Sequence, residues 1–283
     1  MSTENAFVIL VMGNPSYVIG ALATAYSLRL TNTKHKIVCM ATPDIYVKYK
    51  YVLSKVFDEV IRILYIKYDA GPLYSKKQHQ IYKKWSNISF NKWQCLKLTH
   101  YNKVCLLDAD LIIVKNIDHL FKLPTPVGCF VNYWKRSEID FYEGVSHGGV
   151  ISNNRIKSGL QRGFVINGHC VVLKTGTDIY SKFIKFMNSG KYRKEPRCIS
   201  MVDEVAITKF QLCEGNKWTH IDESYNCVPW KNSKSNPYIL HFFNTEKPWH
   251  MNRNKWPDLK NWYKVWDEII AKFPEIKNTI KLC

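Results

Sequence analysis

Apolar runs alternate with helical patterns over the first quarter of the chain. The first run, residues 7–12, is continuously apolar, which is typical of a strand buried on both faces. From Ile19 to Leu30, apolar side chains recur at helical spacing, and Thr42-Pro43-Asp44 has the composition of a helix start. Shorter apolar runs at residues 36–40 and 57–63 predict two more strands. This order predicts a doubly wound α/β fold.

The remainder of the chain continues the α/β pattern with two irregular stretches. Residues 64–90 have no clear period, and residues 132–163 are polar with several glycines, which predicts a mobile insertion. There is no internal repeat and no flexible linker. The other predicted elements are strands at 103–107, 127–131, 164–173 and 238–241, and helices at 92–101, 178–188, 202–212 and 259–273.

Composition excludes several classes of protein. The chain has 283 residues, of which 46% are hydrophobic, so it can bury a core and is not expected to be disordered. No apolar run approaches the ~20 residues of a membrane helix, and the first apolar stretch is too short for a signal peptide. The nine cysteines include no C-x-x-C pair and are mostly in apolar runs, which is typical of reduced thiols. We therefore expect a cytoplasmic protein without a membrane span.

The net charge is strongly positive. Lys and Arg number 41 against 23 Asp and Glu, which gives a formal charge of +18. Such a charge attracts anions, nucleic acids included. The cationic residues are mostly Lys scattered along the whole chain, and no known nucleic-acid module is recognisable. Binding of nucleic acid or another anionic surface therefore remains an alternative function, and nucleic acid is not the expected partner.

Asp108-Ala109-Asp110 is the most informative tripeptide. Carboxylates two positions apart in an extended segment point the same way, and these follow a predicted buried strand. Ligands of open α/β sheets bind at the carboxyl ends of strands. Two carboxylates there can hold Mg²⁺ or Mn²⁺ beside a diphosphate. A solvated turn is the alternative interpretation.

A second cluster, residues 241–249 (HFFNTEKPW), follows the last predicted strand. The imidazole of His241 can complete the coordination of a metal ion. The ammonium of Lys247 can stabilise a departing diphosphate. A histidine after a strand is also often structural, and Trp249 is by default a packing residue.

These two clusters, residues 106–118 (LLDADLIIVKNID) and 241–249, resemble the landmark motifs of the glycogenin-like glycosyltransferases of family 8. Residues 6–8 with Tyr17, and residues 56–60, match as well, so the resemblance spans about 6–266. It implies a single GT-A domain over 1–283, with a Rossmann-like, mostly parallel twisted sheet flanked by helices and the D-x-D motif at a strand end. It also implies a nucleotide-binding half at about 6–130 and a donor-sugar and acceptor half at about 164–275.

The resemblance implies a role for each matching residue. The expected uridine-binding residues of the first loop are Leu10, Met12, Gly13 and Tyr17, with Tyr17 stacked on uracil. The expected metal ligands are Asp108, Asp110 and His241, with Ala109 beside the ribose. The residues expected near the donor sugar and diphosphate are Lys92, Asn167, Gly168, Asp203, Glu204, Asn244 and Lys247. The expected catalytic residues are Asp203, Lys247 and Asn167.

Four positions depart from the family pattern. Gly13 replaces a common Asn, Glu204 stands where many members have Gln, and Asn244 replaces the usual Gly, whose backbone can approach a diphosphate closely. Ser200 replaces an acidic residue of glycogenin, which leaves the sugar preference open. The insertion at 132–163 resembles that of members from large DNA viruses and of plants. The expected compartment is the cytoplasm, which is that of the host if the protein is a viral member.

The resemblance implies a retaining transfer of a hexose, glucose in the first instance, from a UDP-sugar to a hydroxyl group, with Mn²⁺ or Mg²⁺. Retention has two open routes, a same-face reaction and a double displacement with Asp203 as nucleophile. The acceptor stays open among a glycan, a protein, a lipid-linked sugar and inositol, and a homodimer is compatible with the family. The alternatives are an anionic-surface binder, an inactive nucleotide-sugar binder, and a nucleotidyltransferase or nuclease. The last of these gives residues 241–249 no role.

Overall fold

The structure is a computed structural model that describes residues 4–130, 144–193, 200–229 and 236–280. The chain forms two compact units, each built from separated stretches. The N-terminal unit contains Ala6–Leu64, Leu107–His119 and Ser224–Cys283. The central unit contains Tyr65–Leu106 and Leu120–Glu223, together with the first residues of the chain. Each unit therefore draws on both of the halves predicted from the sequence.

The N-terminal unit begins with the predicted alternation of strand and helix. Its first three strands pair in parallel in the order β3-β2-β1. Helix α1 is buried at every position from Val18 to Leu28, more completely than its helical periodicity predicted. Thr42 is extended and precedes Pro43 at the first position of α2, as predicted for a helix start. These elements are β1 (Asn5–Val11), α1 (Tyr17–Leu30), β2 (Lys36–Ala41), α2 (Pro43–Leu53) and β3 (Glu59–Arg62).

Two short strands and the C-terminal helices complete this unit. The strands β5 (Leu111–Ile113) and β10 (Ile239–His241) pair antiparallel, with His241 opposite Leu111. A 3₁₀ turn at Pro248–His250 precedes the helices α7 (Leu259–Lys272) and α8 (Ile276–Thr279). The rings of Trp249 and Trp262 are buried, with centroids 6.1 Å apart, so α7 covers this part of the core.

The described residues of the central unit form a mixed sheet and four α-helices. Its strands follow the order β4-β8-β6-β9-β7, with β6 parallel to β9 and antiparallel to β8, and β7 antiparallel to β9. The strands are β4 (Lys103–Leu107), β6 (Val127–Cys129), β7 (Val150–Ile151), β8 (Asn167–Lys174) and β9 (Trp218–Ile221). The helices are α3 (Lys76–Ser86), α4 (Asn153–Gln161), α5 (Thr177–Asn188) and α6 (Val202–Cys213), and a 3₁₀ segment spans Ser89–Lys97.

Three expectations about local structure are corrected. The stretch 64–90 contains α3, a mostly polar helix that fully buries only Ser86, so its apolar face is weak in the sequence. The helix predicted at 92–101 is the 3₁₀ segment that ends at Lys97. Within the predicted irregular insertion, 150–161 forms β7 and α4, while residues 132–143 lie outside the described residues. In the part of the chain that the structure describes, no helix is long and apolar enough to cross a membrane.

Candidate active site

The Asp108–Asp110 turn is held by helix α1. It connects β4 to β5, and Thr24 of α1 donates its hydroxyl to the carbonyl oxygen of Leu111 at 2.9 Å. Gly20, one turn earlier, allows the carbonyl of Ala109 to approach, because a Cβ there would lie 2.2 Å from that oxygen. The turn is therefore fixed by close contact with the buried stretch of α1 between Val18 and Leu28.

The pairing of β10 with β5 brings His241 to this turn. The backbone N–H of Phe242 donates to the carbonyl oxygen of Asp110 at 2.9 Å. The Nε2 atom of His241 lies 3.6 Å from the Oδ1 atom of Asp110. One ligand atom from each of Asp108, Asp110 and His241 fits within 4.8 Å of the others. Two carboxylates and an imidazole at these separations are a donor set that suits a divalent cation.

Lys247 places a buried positive charge at the same turn. Its Nζ donates to Asp110 Oδ2 at 2.7 Å and to the carbonyl oxygen of Phe242 at 2.9 Å. Burial by itself lowers the pKa of the Lys247 ammonium, but the neighbouring groups, Asp110 first, raise it above its ordinary value. The side chain is therefore charged at neutral pH and balances part of the acidic charge of the turn.

Tyr17 lies at the start of α1, beside Trp249 and Lys247. The rings of Tyr17 and Trp249 meet edge to face with centroids 5.4 Å apart, and Lys247 Nζ is 5.8 Å from the centre of the Tyr17 ring. Burial raises the pKa of the Tyr17 phenol, although the nearby Lys247 lowers it. Trp249 itself is buried in the core, in agreement with its expected packing role.

The first loop leaves part of its surface open. Leu10 and Met12 are only half-buried, whereas the strand residues 6–9 are fully buried. Gly13 is exposed with φ of 69°, a left-handed conformation that glycine adopts without strain and that asparagine tolerates better than most residues. The replacement of the common Asn by Gly13 is thus compatible with the shape of the loop.

Within the central unit, the N-terminus of α6 is tied to the start of β8. The carboxylate of Glu204 accepts from the backbone N–H of Gly168 at 2.7 Å and from that of Met201 at 3.0 Å. Burial and the neighbouring Asp203 raise the pKa of the Glu204 carboxyl to about 7, against the opposing effects of these N–H groups and Lys92. Proton uptake by this carboxyl therefore falls in the neutral range.

Asp203 and Asn167 are positioned by neighbours in the same unit. Asp203 is 2% exposed, and its carbonyl oxygen accepts from the indole N–H of Trp93 at 2.9 Å. The Oδ1 atom of Asn167 accepts from the backbone N–H of His169 at 3.3 Å and lies 2.8 Å from Nδ1 of its ring. The backbone of Asp203 and the side chain of Asn167 are therefore held by neighbouring groups.

The predicted site residues fall into two groups, one in each unit. The group in the N-terminal unit is Leu10, Met12, Gly13, Tyr17, Asp108, Ala109, Asp110, His241 and Lys247. The group in the central unit is Lys92, Asn167, Gly168, Asp203 and Glu204. Asn244, in the N-terminal unit, accepts from the N–H of Thr245 within its own turn, at 3.0 Å from its side-chain oxygen.

Sequence reasoning missed three residues of the N-terminal group. Gly20 and Thr24 hold the acidic turn, and Asn226 contacts the ring of His241. An isolated glycine inside a helical pattern is a signal of close packing, so Gly20 carried a clue. Thr24 and Asn226 carried none, because a polar residue far away in sequence shows its partner only after folding.

A sequence model of the family described as Glycosyl transferase family 8 matches residues 8–253, most of the chain. The chain belongs to glycosyltransferase family 8. As a member of this family it is a glycosyltransferase, in agreement with the resemblance of its two motifs.

Two sequence relatives agree with this assignment, and a solved structure of another protein shares the fold. Uncharacterized protein R707 of Acanthamoeba polyphaga mimivirus is 30% identical over 299 residues, with 98% of both chains covered. Human glycogenin-2 is 38% identical over 120 residues, which cover 42% of this chain and 23% of that protein. The glycosyltransferase GlyE of Streptococcus pneumoniae TIGR4 has a TM-score of 0.57 at 15% identity, over 98% of this chain and 64% of that chain. The predicted GT-A α/β fold is confirmed.

Proposed function

We propose that this glycosyltransferase transfers a hexose, glucose in the first instance, from a UDP-sugar to a hydroxyl acceptor with retention of configuration. The single observation that carries the proposal is the convergence of Asp108, Asp110 and His241 within 4.8 Å beside the buried ammonium of Lys247. A cation site and a fixed positive charge both stabilise the negative charge of a departing diphosphate.

Asp108, Asp110 and His241 would hold Mn²⁺, or Mg²⁺ in its place. The fit rests on their chemistry, since carboxylate oxygens and a single imidazole suit Mn²⁺, and Asp110 and His241 are buried while Asp108 is half-buried. When bound, the ion supplies positive charge against the negative charge that develops on the leaving diphosphate.

Lys247 contributes a second positive charge that does not depend on an ion. Its ammonium is buried and held by two acceptors, so little reorganisation is required before it meets a diphosphate. The half-buried Leu10, Met12 and Tyr17 are proposed to contact the uridine, with Gly13 and Ala109 allowing close approach of the backbone.

The central-unit residues are proposed to bind the donor sugar. Glu204 fixes the backbone of Gly168, and the Trp93 indole fixes that of Asp203. The backbone at both positions is therefore held in place before a sugar binds. Asp203 and Asn167 are the proposed catalytic side chains of this group, and Lys92 supplies a further positive charge.

We favour the same-face route for retention. The acceptor oxygen bonds to the anomeric carbon, the bond from that carbon to the diphosphate oxygen breaks, and the acceptor proton passes to the departing phosphate. The alternative is a covalent intermediate on the carboxylate of Asp203. This residue is 2% exposed, and the Trp93 N–H donates to its backbone carbonyl oxygen rather than to its carboxylate. Trapping of a glycosylated Asp203 peptide by mass spectrometry would decide for that alternative.

The partners follow from the same proposal. The donor is a UDP-hexose and the acceptor carries a hydroxyl group on a glycan, a protein, a lipid-linked sugar or inositol. We further propose that the protein acts as a homodimer in the cytoplasm. For a viral member this is the cytoplasm of the infected host, and the relative from a mimivirus is compatible with that origin.

The experiment is a thermal-shift panel of UDP, UDP-glucose, UDP-galactose and UDP-N-acetylglucosamine, each with Mn²⁺ and with EDTA. A ligand present at about 100 times its Kd stabilises the folded state by about 2.7 kcal/mol, which is easily detected. We expect a rise in Tm with UDP and one sugar nucleotide that requires Mn²⁺. No rise with any of them, in folded protein, contradicts the proposal.

A further inference from the structure

Asn226 contacts the imidazole of His241 on the edge opposite the acidic turn. The Oδ1 atom of Asn226 lies 2.8 Å from Nδ1 of His241, and the two side chains are among the most buried polar groups, with 0% and 5% exposure. Burial of an amide in a protein core is costly unless its hydrogen bonds are made. A contact of this kind therefore constrains the orientation of both side chains.

The backbone holds this pair from two directions. The N–H of Cys227 donates to the carbonyl of Ile239 at 3.0 Å, and the N–H of His241 donates to the carbonyl of Cys227 at 2.8 Å. Residue 227 thus forms a parallel bridge with Leu240. Since Asn226 precedes this bridge and His241 ends β10, their separation is set by main-chain hydrogen bonds rather than by flexible side chains.

The contact determines which ring nitrogen carries the proton. An amide oxygen only accepts, so the Nδ1 atom of neutral His241 must be the donor, and the lone pair is left on Nε2. Nε2 is the atom that faces the acidic turn, 3.6 Å from Asp110 Oδ1. Binding of a metal ion to a histidine requires a lone pair on the nitrogen that faces the ion.

We propose that Asn226 is a positioning residue that fixes His241 in its Nδ1–H tautomer and directs Nε2 to a cation shared with Asp108 and Asp110. This inference rests on the proposed function, because it concerns the proposed metal site. Asn226 touches neither donor nor acceptor in this account and acts only through His241.

The first test measures Mn²⁺ affinity by calorimetry on the full chain with saturating UDP. Asn226→Leu keeps a similar volume and removes the acceptor, and Asn226→Asp keeps an acceptor oxygen. Loss of such an outer partner typically costs about 10–100-fold in metal affinity. We expect that loss for Asn226→Leu and affinity near the original for Asn226→Asp.

The matched control is Tyr225→Phe. It lies one residue away and removes a hydroxyl that contacts the ring of another histidine, His119, which is not a proposed ligand. We expect its Mn²⁺ affinity to equal that of the unaltered protein. An equal loss in Tyr225→Phe and Asn226→Leu would show a general disturbance of this loop and would overturn the specific role of Asn226.

The second test reads the tautomer directly in metal-free protein. Long-range ¹H–¹⁵N NMR of histidine-labelled protein separates Nδ1–H from Nε2–H rings, and His241→Gln identifies the signal of His241. We expect Nδ1–H in the unaltered protein. An Nε2–H ring there overturns the inference even if Asn226→Leu fails to fold.

The two tests separate this inference from the proposed function. If Mn²⁺ binds and His241→Gln abolishes the binding while Asn226→Leu binds Mn²⁺ as tightly as the unaltered protein, the metal site stands and the role of Asn226 is refuted. If the unaltered protein binds no Mn²⁺ in the presence of UDP, the metal site and the inference fail together.

Discussion

Lys247 and Asp110 form an ion pair that is almost entirely withdrawn from water. Their side chains are 8% and 10% exposed, and Nζ and Oδ2 are 2.7 Å apart. The desolvation of two charges is offset only while both partners are present, so removal of one leaves an uncompensated charge in the interior. The stability of the acidic turn therefore depends on the ammonium of Lys247, the same group that is proposed to contact the diphosphate.

Lys247→Met should destabilise the protein by about 3–5 kcal/mol, because it leaves the Asp110 carboxylate buried without its ammonium. The measurement is chemical unfolding in EDTA. The control is Lys255→Met, which breaks the exposed pair with Glu246 and should cost only about 0–1 kcal/mol. Equal losses for the two variants would show that burial of the Asp110–Lys247 pair does not matter.

Glu204 gives stability a dependence on pH. Its folded pKa of about 7 exceeds the ordinary 4.5, so the folded state keeps a proton that the unfolded chain releases. This carboxyl therefore weakens folding progressively as the pH rises from about 4.5 to 7. We expect the Tm of Glu204→Gln minus the Tm of the unaltered protein to increase across that window. A difference that stays constant or falls would contradict the pKa shift.

A second variant tests the cause of that shift. Burial is the larger cause and the Asp203 carboxylate the next, so Asp203→Asn should lower the pKa of Glu204. The pH window over which Glu204→Gln gains stability, measured in the Asp203→Asn background, should then move to lower pH. If that pH window does not move, the raised pKa of Glu204 is due to burial alone.

At the scale of residues, the sequence predicted side chains that local motifs mark. Asp108 and Asp110 follow a buried strand, and His241 ends another, so their position at strand ends could be inferred. Their separations could not be inferred, because they depend on the pairing of β5 with β10, which are far apart in the chain. The contact of Asn226 with His241 could not be predicted for the same reason.

At the scale of elements, the packing of α1 against the acidic turn depends on Gly20. A Cβ at this position would lie 2.2 Å from the carbonyl oxygen of Ala109 and 2.5 Å from the Trp249 ring. Neither neighbour is the far end of a flexible chain, so the helix or the turn must shift. The glycine is therefore required by close approach, although it costs helix stability.

Gly20→Ala should destabilise the protein by about 1–3 kcal/mol, as overpacking does, and weaken binding of UDP with Mn²⁺ because the turn moves. Unfolding curves and calorimetry measure the two effects. Gly176→Ala is the matched control, since its added Cβ would meet Ile179 at an ordinary 3.4 Å. Gly20→Ala with unaltered stability and affinity would contradict the close packing of this turn.

The elements that the sequence predicted are those with a strong apolar pattern. The buried strands β1, β2 and β4 and the amphipathic helices α5 and α7 were recognised within a few residues. The helices α3 and α4 were missed because they are short and mostly polar: α3 fully buries only Ser86, and α4 only Ile156 and Gly159. The first turn of α3 is capped by Ser75, whose hydroxyl oxygen accepts from the N–H of Gln78.

At the scale of the whole molecule, the charge of +18 predicts non-specific attraction to nucleic acid. We expect binding to random DNA to fall about a thousandfold or more between 50 and 200 mM salt. Binding of UDP with Mn²⁺ should fall far less, because buried charges are screened less than exposed ones. Fluorescence anisotropy and calorimetry compare the two. DNA binding that survives 200 mM salt would favour the nucleic-acid alternative.

The central claim is catalysis of glycosyl transfer at the acidic turn, and release of UDP from a UDP-sugar tests it most directly. The assay compares the unaltered protein with Asp110→Asn, which retains the shape of the side chain and removes its charge, in Mn²⁺ and in EDTA. We predict release from one UDP-hexose, with water or an added sugar as acceptor, and a decrease of about 100–1000-fold in the variant. No release from any UDP-hexose, or equal release by Asp110→Asn, would contradict this account.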